Sequence, residues 1–139
     1  MANKYDRRVN VLNFSDAVQN TLDMYCKEIE KSVPDVVEQS AKKCVQSIKA
    51  HVAMAGIKDR TYSSSWKAKC ELKSSFYTSY RVFSEKHYRV AHLLEHGHDK
   101  VSRSGKPLGT TKAFPHLIYA EQESVQFLEN KLKSTIQEV

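Results

Sequence analysis

Apolar residues recur at steps of three and four along residues 14–55, a pattern typical of a long amphipathic helix with one face toward a core. Ser15 is the expected N-cap, and Gly56 is expected to end the helix. Pro34 interrupts the run, but the stripe stays in phase across it, which favours one kinked helix over a second helix capped by Ser32. The stripe comprises Phe14, Val18, Leu22, Tyr25, Ile29, Val33, Val37, Ala41, Cys44, Val45, Ile48 and Val52.

The pattern changes after Gly56 to alternation of aromatic and β-branched residues. This alternation predicts antiparallel strands over residues 65–72, 76–83 and 88–94. The end of the third segment is ambiguous, because the short apolar run at residues 91–95 fits a strand or a helical turn equally well. The side chains expected in core and cross-strand packing include Cys70, Tyr77, Tyr80 and Tyr88.

A long polar loop is predicted over residues 96–113, and a second amphipathic helix follows from Pro115. The order predicts an α+β fold with a long N-terminal helix, a small antiparallel sheet of about three to four strands, a long loop and a C-terminal helix. The 139 residues suffice for one core. We therefore expect a single domain over residues 14–139, preceded by an arm or edge strand over residues 1–13.

Positive charge is concentrated in the middle of the chain. Residues 58–112 hold 12 Lys or Arg against 5 Asp or Glu, whereas the remainder is nearly balanced. Because these residues are scattered, a solubilising surface is favoured over a face for an acidic partner or nucleic acid. Within the long loop, the candidates for contact with phosphates or partners are Lys100, Arg103, Lys106 and Lys112.

Cysteine usage and hydropathy narrow the class of protein. Three cysteines, an odd number without C-x-x-C spacing, favour reduced structural thiols over a disulfide framework. The sequence has no apolar run of membrane-spanning length and no signal-like start, so we expect synthesis in the cytoplasm and no membrane contact.

His92 to His96 match H-x-x-E-H, the inverted zinc-protease motif, in which two histidines bind the metal and the glutamate acts as base. Gly97 would end such a helix directly after the motif, so a turn with partly exposed histidines is favoured over a metal site. Glu95 is then expected to accept backbone N–H groups of the turn that it opens, and Gly97 to take a positive φ. We expect no catalytic residue, no metal and no cofactor.

Four segments together carry a family resemblance. Tyr62, Ser65 and Trp66 follow the first helix, His92 to His98 read H-L-L-E-H-G-H, a basic loop containing Gly follows, and Pro115 begins P-H-L-x-x-A-E. This arrangement resembles the small tail-component proteins of long-tailed phages, although the loop lacks the paired glycines common in that family. The residues matching the family motifs are Tyr62, Ser65, Trp66, His92, Leu94, Glu95, Gly97, His98, Pro115, His116 and Ala120.

The resemblance implies a structural virion protein without enzymatic activity, assembled in the host cytoplasm. It implies a role in tail completion, at the neck where head and tail join, as a ring of copies. The implied partners are other copies, neck and tail proteins, and the DNA backbone through non-specific contact. A basic nucleic-acid-binding module is the alternative function, and a zinc hydrolase is the third.

Overall fold

The computed structural model describes residues 13–74 and 77–138. The arm or edge strand expected at the N-terminus therefore lies outside the described residues, except for Asn13. The elements, in chain order, are α1 (Phe14–Met54), α2 (Arg60–Ser64), β1 (Trp66–Lys73), β2 (Thr78–Ser84), α3 (Tyr88–His96), β3 (Asp99–Val101), β4 (Pro107–Thr110) and α4 (Leu117–Glu138).

The two long helices pack against each other in antiparallel fashion. Pro115 and Tyr119 lie beside Met54 at the end of α1. Further along α4, Glu123 Oε1 lies 2.7 Å from His51 Nε2. The core lies where the C-terminal half of α1 meets α2, β1, α3 and the start of α4, and its buried residues are Ile48, Val52, Tyr62, Trp66, Ala91 and Ala120.

Strands β1 and β2 form one antiparallel hairpin, in which Trp66 pairs with Ser84 and Lys73 with Thr78. Strands β3 and β4 form a second, smaller hairpin, in which Asp99 pairs with Thr110. The α+β class is confirmed, and the strands among residues 13–74 and 77–138 form two separate two-stranded sheets. Within residues 13–74 and 77–138, no helix is long and apolar enough to cross a membrane.

The third strand predicted over residues 88–94 is instead helix α3. Ala91 and Glu95 are buried and Leu94 is half-buried, so the inward positions follow helical spacing. Likewise, residues 96–113 are not a structureless loop, because they contain the β3–β4 hairpin. Its turn is closed by hydrogen bonds from Ser102 N to the Lys106 carbonyl and from Gly105 N to the Ser102 carbonyl, both 2.9 Å long.

Cys70, Tyr77 and Tyr88 were predicted to pack in the core, and all three are exposed instead. Tyr88 lies on the outer face of α3. Cys70 shares a face of the β1–β2 hairpin with its cross-strand partner Tyr80, and Tyr77 lies in the turn beside Ile29 to Pro34 of α1, yet neither side chain is covered. Tyr80, which pairs with Cys70 across the hairpin, is half-buried.

Helix α1 continues through Pro34 as one helix, as favoured by the phase of its stripe. The alternative of a second helix capped by Ser32 is wrong, because the Ser32 hydroxyl donates to the Glu28 carbonyl inside the helix. The cap assigned to Ser15 is also wrong, since α1 already begins at Phe14.

Only the C-terminal part of the α1 stripe faces the core, contrary to the expectation of one continuous buried face. The buried residues of α1 begin at Val36. The turn of the β1–β2 hairpin lies beside Ile29 to Pro34, and α4, with 22 residues, is about 33 Å long and ends near the same level. Residues 14–28 of α1 include no buried residue, and we call them the α1 overhang.

Two side-chain truncations test whether the core is limited to the C-terminal part of α1. Ile48→Ala should lower the free energy of unfolding by about 2–5 kcal/mol, because Ile48 is 3% exposed in the core. Leu22→Ala should change it by less than about 0.5 kcal/mol, because Leu22 lies in the overhang and is 54% exposed. Urea unfolding of both variants measures the difference. Equal losses would mean that the overhang is packed within the monomer.

Candidate functional site

The two family-motif segments meet where α3 ends and α4 begins. Glu95 Oε2 accepts hydrogen bonds from the backbone N–H groups of His116 at 2.8 Å and Leu117 at 2.9 Å. Glu95 Oε1 accepts a third from Ile118 N–H at 3.0 Å. The first N–H groups of a helix have no partner within the helix, so a carboxylate from α3 caps α4. We call this arrangement the motif junction.

The environment of Glu95 favours its ionised form. Burial of this carboxyl group, which is 7% exposed, acts to raise its pKa. The three backbone donors, followed by the nearby His116, outweigh burial and hold the pKa of Glu95 below its ordinary value. The positive end of the α4 dipole also favours a negative charge at this point. Glu95 is therefore a charged cap at neutral pH.

His116 is fully buried beside this cap and bonds at both ring nitrogens. Its Nδ1 lies 2.6 Å from the Phe114 carbonyl oxygen and 3.1 Å from Glu95 Oε2. Because both of these atoms are acceptors, Nδ1 carries a proton. Nε2 lies 2.6 Å from the Tyr62 hydroxyl oxygen. The imidazole thus links α2 to the start of α4.

Tyr62, the partner of His116, is buried in the core. Burial raises the pKa of Tyr62 to about 12, and the nearby Glu95 carboxylate adds to the rise. The phenol therefore stays protonated at neutral pH. Its ring meets the Trp66 ring edge-on, with centroids 6.0 Å apart, which is a favourable aromatic geometry.

Gly97 lets the chain turn directly after His96, the last residue of α3. Its φ is 72°, as predicted, and a Cβ there would lie only 2.6 Å from the Thr111 carbonyl oxygen. Beyond it, His98 N donates to Thr111 Oγ1 at 2.8 Å, and Thr111 N donates to the His98 carbonyl at 2.8 Å. The base of the β3–β4 hairpin is therefore fixed to the motif junction.

Ser65 links α2 to the end of β2. Its hydroxyl donates to the Tyr62 carbonyl at 2.7 Å and lies 2.6 Å from Ser84 Oγ, which in turn accepts from His87 N. Sequence reasoning missed Ser84, which carries no signal of its own. It also missed Asp59, whose carboxylate caps α2 and whose position before a helical turn is a recognisable N-cap signal.

The four basic residues singled out in the sequence lie on or beside the β3–β4 hairpin and are exposed. Lys100 is on β3, Arg103 and Lys106 are in or next to the turn, and Lys112 follows β4. Lys112 Nζ lies 5.8 Å from the centre of the Phe114 ring. We call residues 99–112 the basic hairpin.

Comparison with known proteins identifies the family. The family model described as "Bacteriophage HK97-gp10, putative tail-component" matches residues 16–97, which is more than half of the chain. The chain belongs to the HK97-gp10-like family. The match covers α1, α2, the β1–β2 hairpin and α3, and it confirms the resemblance to phage tail-component proteins. No curated protein and no solved structure matches the chain.

In this member of the HK97-gp10-like family, the motif residues fall into two groups. Tyr62, Trp66, Glu95, Gly97, His116 and Ala120 meet at the junction or in the core beneath it, with Ser65 and Leu94 packed alongside. The others, His92, His98 and Pro115, are exposed. In the described ranges, no three His, Cys, Asp or Glu side chains are grouped to hold a metal ion.

Glu95 was expected to accept backbone N–H groups of the turn that it opens. This prediction is wrong about which residues donate. The carboxylate does accept backbone N–H groups, but they belong to α4, 21 to 23 residues further along the chain. Sequence spacing alone could not place those donors beside Glu95, because the intervening hairpin brings them there.

The variant Glu95→Gln tests the charged cap. At pH 7 it should lower the free energy of unfolding by about 1.5–3 kcal/mol, the usual range for hydrogen bonds to a charged group. The folded pKa of Glu95 lies below the ordinary 4.5, so its contribution is complete above pH 4.5 and is lost as the pH falls through the folded pKa. The gap between wild type and variant should therefore narrow in acid.

Urea unfolding across this pH range provides the measurement, and Glu121→Gln, an exposed neighbour on α4, is the control. A gap that stays constant from neutral pH into acid would contradict the charged cap.

The variants Gly97→Ala and Gly105→Ala test the close packing at Gly97. Both glycines have a positive φ, but an added Cβ would meet backbone atoms at Gly97 and nothing within 4 Å at Gly105. Gly105→Ala should cost about 1–2 kcal/mol for the left-handed conformation alone. Gly97→Ala should cost about 2–5 kcal/mol, because the new methyl group also collides with the Thr111 carbonyl. Thermal or urea melting separates them, and similar losses would argue against close packing at Gly97.

Proposed function

We propose that this HK97-gp10-like protein is a structural component of the phage neck. It completes the tail where head and tail join, and it works as a ring of copies. The family of phage tail components supports this class of function. The proposed location is the virion, after assembly in the host cytoplasm, and the partners are further copies together with neck and tail proteins.

The observation that carries the proposal is the set of hydrogen bonds that the Glu95 carboxylate accepts from α4. A general base in a metal hydrolase must reach a water molecule, whereas both oxygens of this buried carboxylate accept backbone N–H groups of α4. The most enzyme-like motif in the chain therefore serves the fold. This supports a structural role over the zinc hydrolase.

Two exposed features support a role in assembly. The α1 overhang presents large apolar side chains to solvent, which is typical of surfaces that bind other proteins. The basic hairpin is exposed along both strands. The buried core residues lie outside both features, so we expect the monomer to fold without the contacts that these features make.

Nucleic-acid binding remains the second candidate because of the basic hairpin. Residues 100–112 contain four Lys or Arg and no Asp or Glu. In a ring around a DNA conduit, such a hairpin would contact phosphates without sequence preference. That contact would weaken steeply with salt, because binding releases counterions.

Removal of the hairpin tests the proposed function. Residues 100–109 are replaced by Gly-Ser, which joins the paired residues Asp99 and Thr110 and keeps Thr111 against His98. The variant should fold, because the removed strands are exposed. In a phage that lacks its own copy of the gene, it should yield filled heads and separate tails in electron micrographs. Fully infectious particles would refute the proposal.

A control variant keeps the hairpin but replaces Lys100, Arg103 and Lys106 by Gln. It separates loss of charge from loss of shape. Circular dichroism melting of both variants confirms that any missing particles do not result from unfolding.

A further inference from the structure

The turn of the basic hairpin carries an arginine in an open position. Arg103 and Ser104 lie in this turn between β3 and β4, and both are exposed. Two backbone hydrogen bonds among Ser102, Gly105 and Lys106 close the turn. Exposed loop tips of small and polar residues are preferred sites for the cleavage of a folded chain. The peptide bond after Arg103 is therefore a candidate substrate for an arginine-specific endopeptidase.

Opening the hairpin exposes no buried side chain. An endopeptidase binds the residues around the cleaved bond in extended form, so those residues must first leave their folded arrangement. Strands β3 and β4 have three and four residues, and every one of them is exposed. Segments with few buried apolar contacts open at a small cost in free energy. The turn can therefore enter a protease active site while the core stays intact.

The other arginines among the described residues lie in helices or in the longer hairpin. Arg60 is in α2, Arg81 is in β2 and Arg89 is in α3. Cleavage after Arg60 would require the withdrawal of Tyr62, two residues later, which is 1% exposed in the core. Cleavage after Arg89 would require the unwinding of the helix that carries Glu95. These bonds are thus protected by the fold, unlike the bond after Arg103.

Cleavage at the turn would divide the chain between its two long helices. Hydrolysis consumes one water molecule and leaves a carboxylate on Arg103 and an amino group on Ser104. The first fragment, residues 1–103, keeps α1, α2, the β1–β2 hairpin and α3, and the second, residues 104–139, keeps β4 and α4. The second fragment contributes Ala120, which is fully buried in the core of the first.

The contacts of the motif junction cross the cut. Glu95 in the first fragment accepts three backbone N–H groups of α4 in the second. The Tyr62 hydroxyl oxygen lies 2.6 Å from His116 Nε2, and His51 Nε2 lies 2.7 Å from Glu123 Oε1. Each of these contacts joins the two fragments, and none of them lies in the turn.

We propose that the turn at Arg103 is a processing site, at which an arginine-specific endopeptidase cuts the chain into two fragments that remain one folded unit. The cut removes the connection between β3 and β4, whereas the core and the motif junction are retained. Processing would therefore end the part of the basic hairpin in assembly without unfolding the protein. That consequence rests on the proposed function, but the cut and the retained fold do not.

Limited digestion with an arginine-specific endopeptidase under native conditions provides the first test. Mass spectrometry should show that the first cut within the described residues follows Arg103. Gel filtration should show both fragments in one peak, which separates only in urea. Cleavage within residues 1–12 would shorten the first fragment and leave this result unchanged.

Two matched variants identify the cut. Arg103→Gln should remove it, and Arg89→Gln, at an exposed position of α3, should leave it in place. A first cut after Arg60, Arg81 or Arg89 would overturn the proposed site. Fragments that elute apart without urea would overturn the retained fold.

A second test examines what holds the fragments together. In the cut chain, Glu95→Gln should weaken the association of the two fragments about 10- to 100-fold, because hydrogen bonds to a charged group are lost. Glu121→Gln, at an exposed position of α4, should leave the association unchanged. Titration of one separated fragment with the other gives both affinities. Equal affinities for wild type and Glu95→Gln would contradict the role of the junction in holding the cut chain.

These outcomes are separate from those that test the neck role. If the cut occurs elsewhere or the fragments fall apart, the processing site is wrong and the neck role stands. If the hairpin deletion yields fully infectious particles, the neck role fails, while the digestion results still decide whether Arg103 is a processing site.

Discussion

The charged cap at the start of α4 is the constraint on which the arrangement of the molecule depends. The first N–H groups of α4 point toward the buried side chain of Glu95, and unpaired donors are costly where they are buried. Glu95 satisfies three of them from another element. The same contact fixes the end of α3, the turn at Gly97 and the base of the hairpin. A short buried network that includes His116 and Tyr62 then connects the cap to the core.

Periodicity and motif spacing predicted much of this structure. The long first helix, its continuity through Pro34 and the C-terminal helix follow from apolar repeats that span many turns. The motif residues on either side of the segment 96–113 were grouped only by the family resemblance, because a segment of that length does not by itself bring its ends together. The donors to Glu95 could not be predicted, since they depend on how α3 and α4 pack.

The errors have physical causes that particular residues illustrate. The segment at Tyr88 was assigned to a strand because short apolar runs carry no reliable period. The β3–β4 hairpin was missed because its strands are short and exposed, and its order comes from the turn between Ser102 and Lys106 rather than from burial. The first turns of α1 were assigned to the core because an apolar stripe indicates that a face will be covered, without indicating by which chain.

The cap also determines which part of the chain is a stable unit. The family match ends at Gly97, so it contains Glu95 but not the three N–H donors that Glu95 accepts. A segment with only the matched residues would leave this carboxylate without its donors beside an uncovered core face, including the site filled by Ala120. An ionised carboxylate without partners is costly in such surroundings. The start of α4 is therefore required for the matched segment to hold its shape.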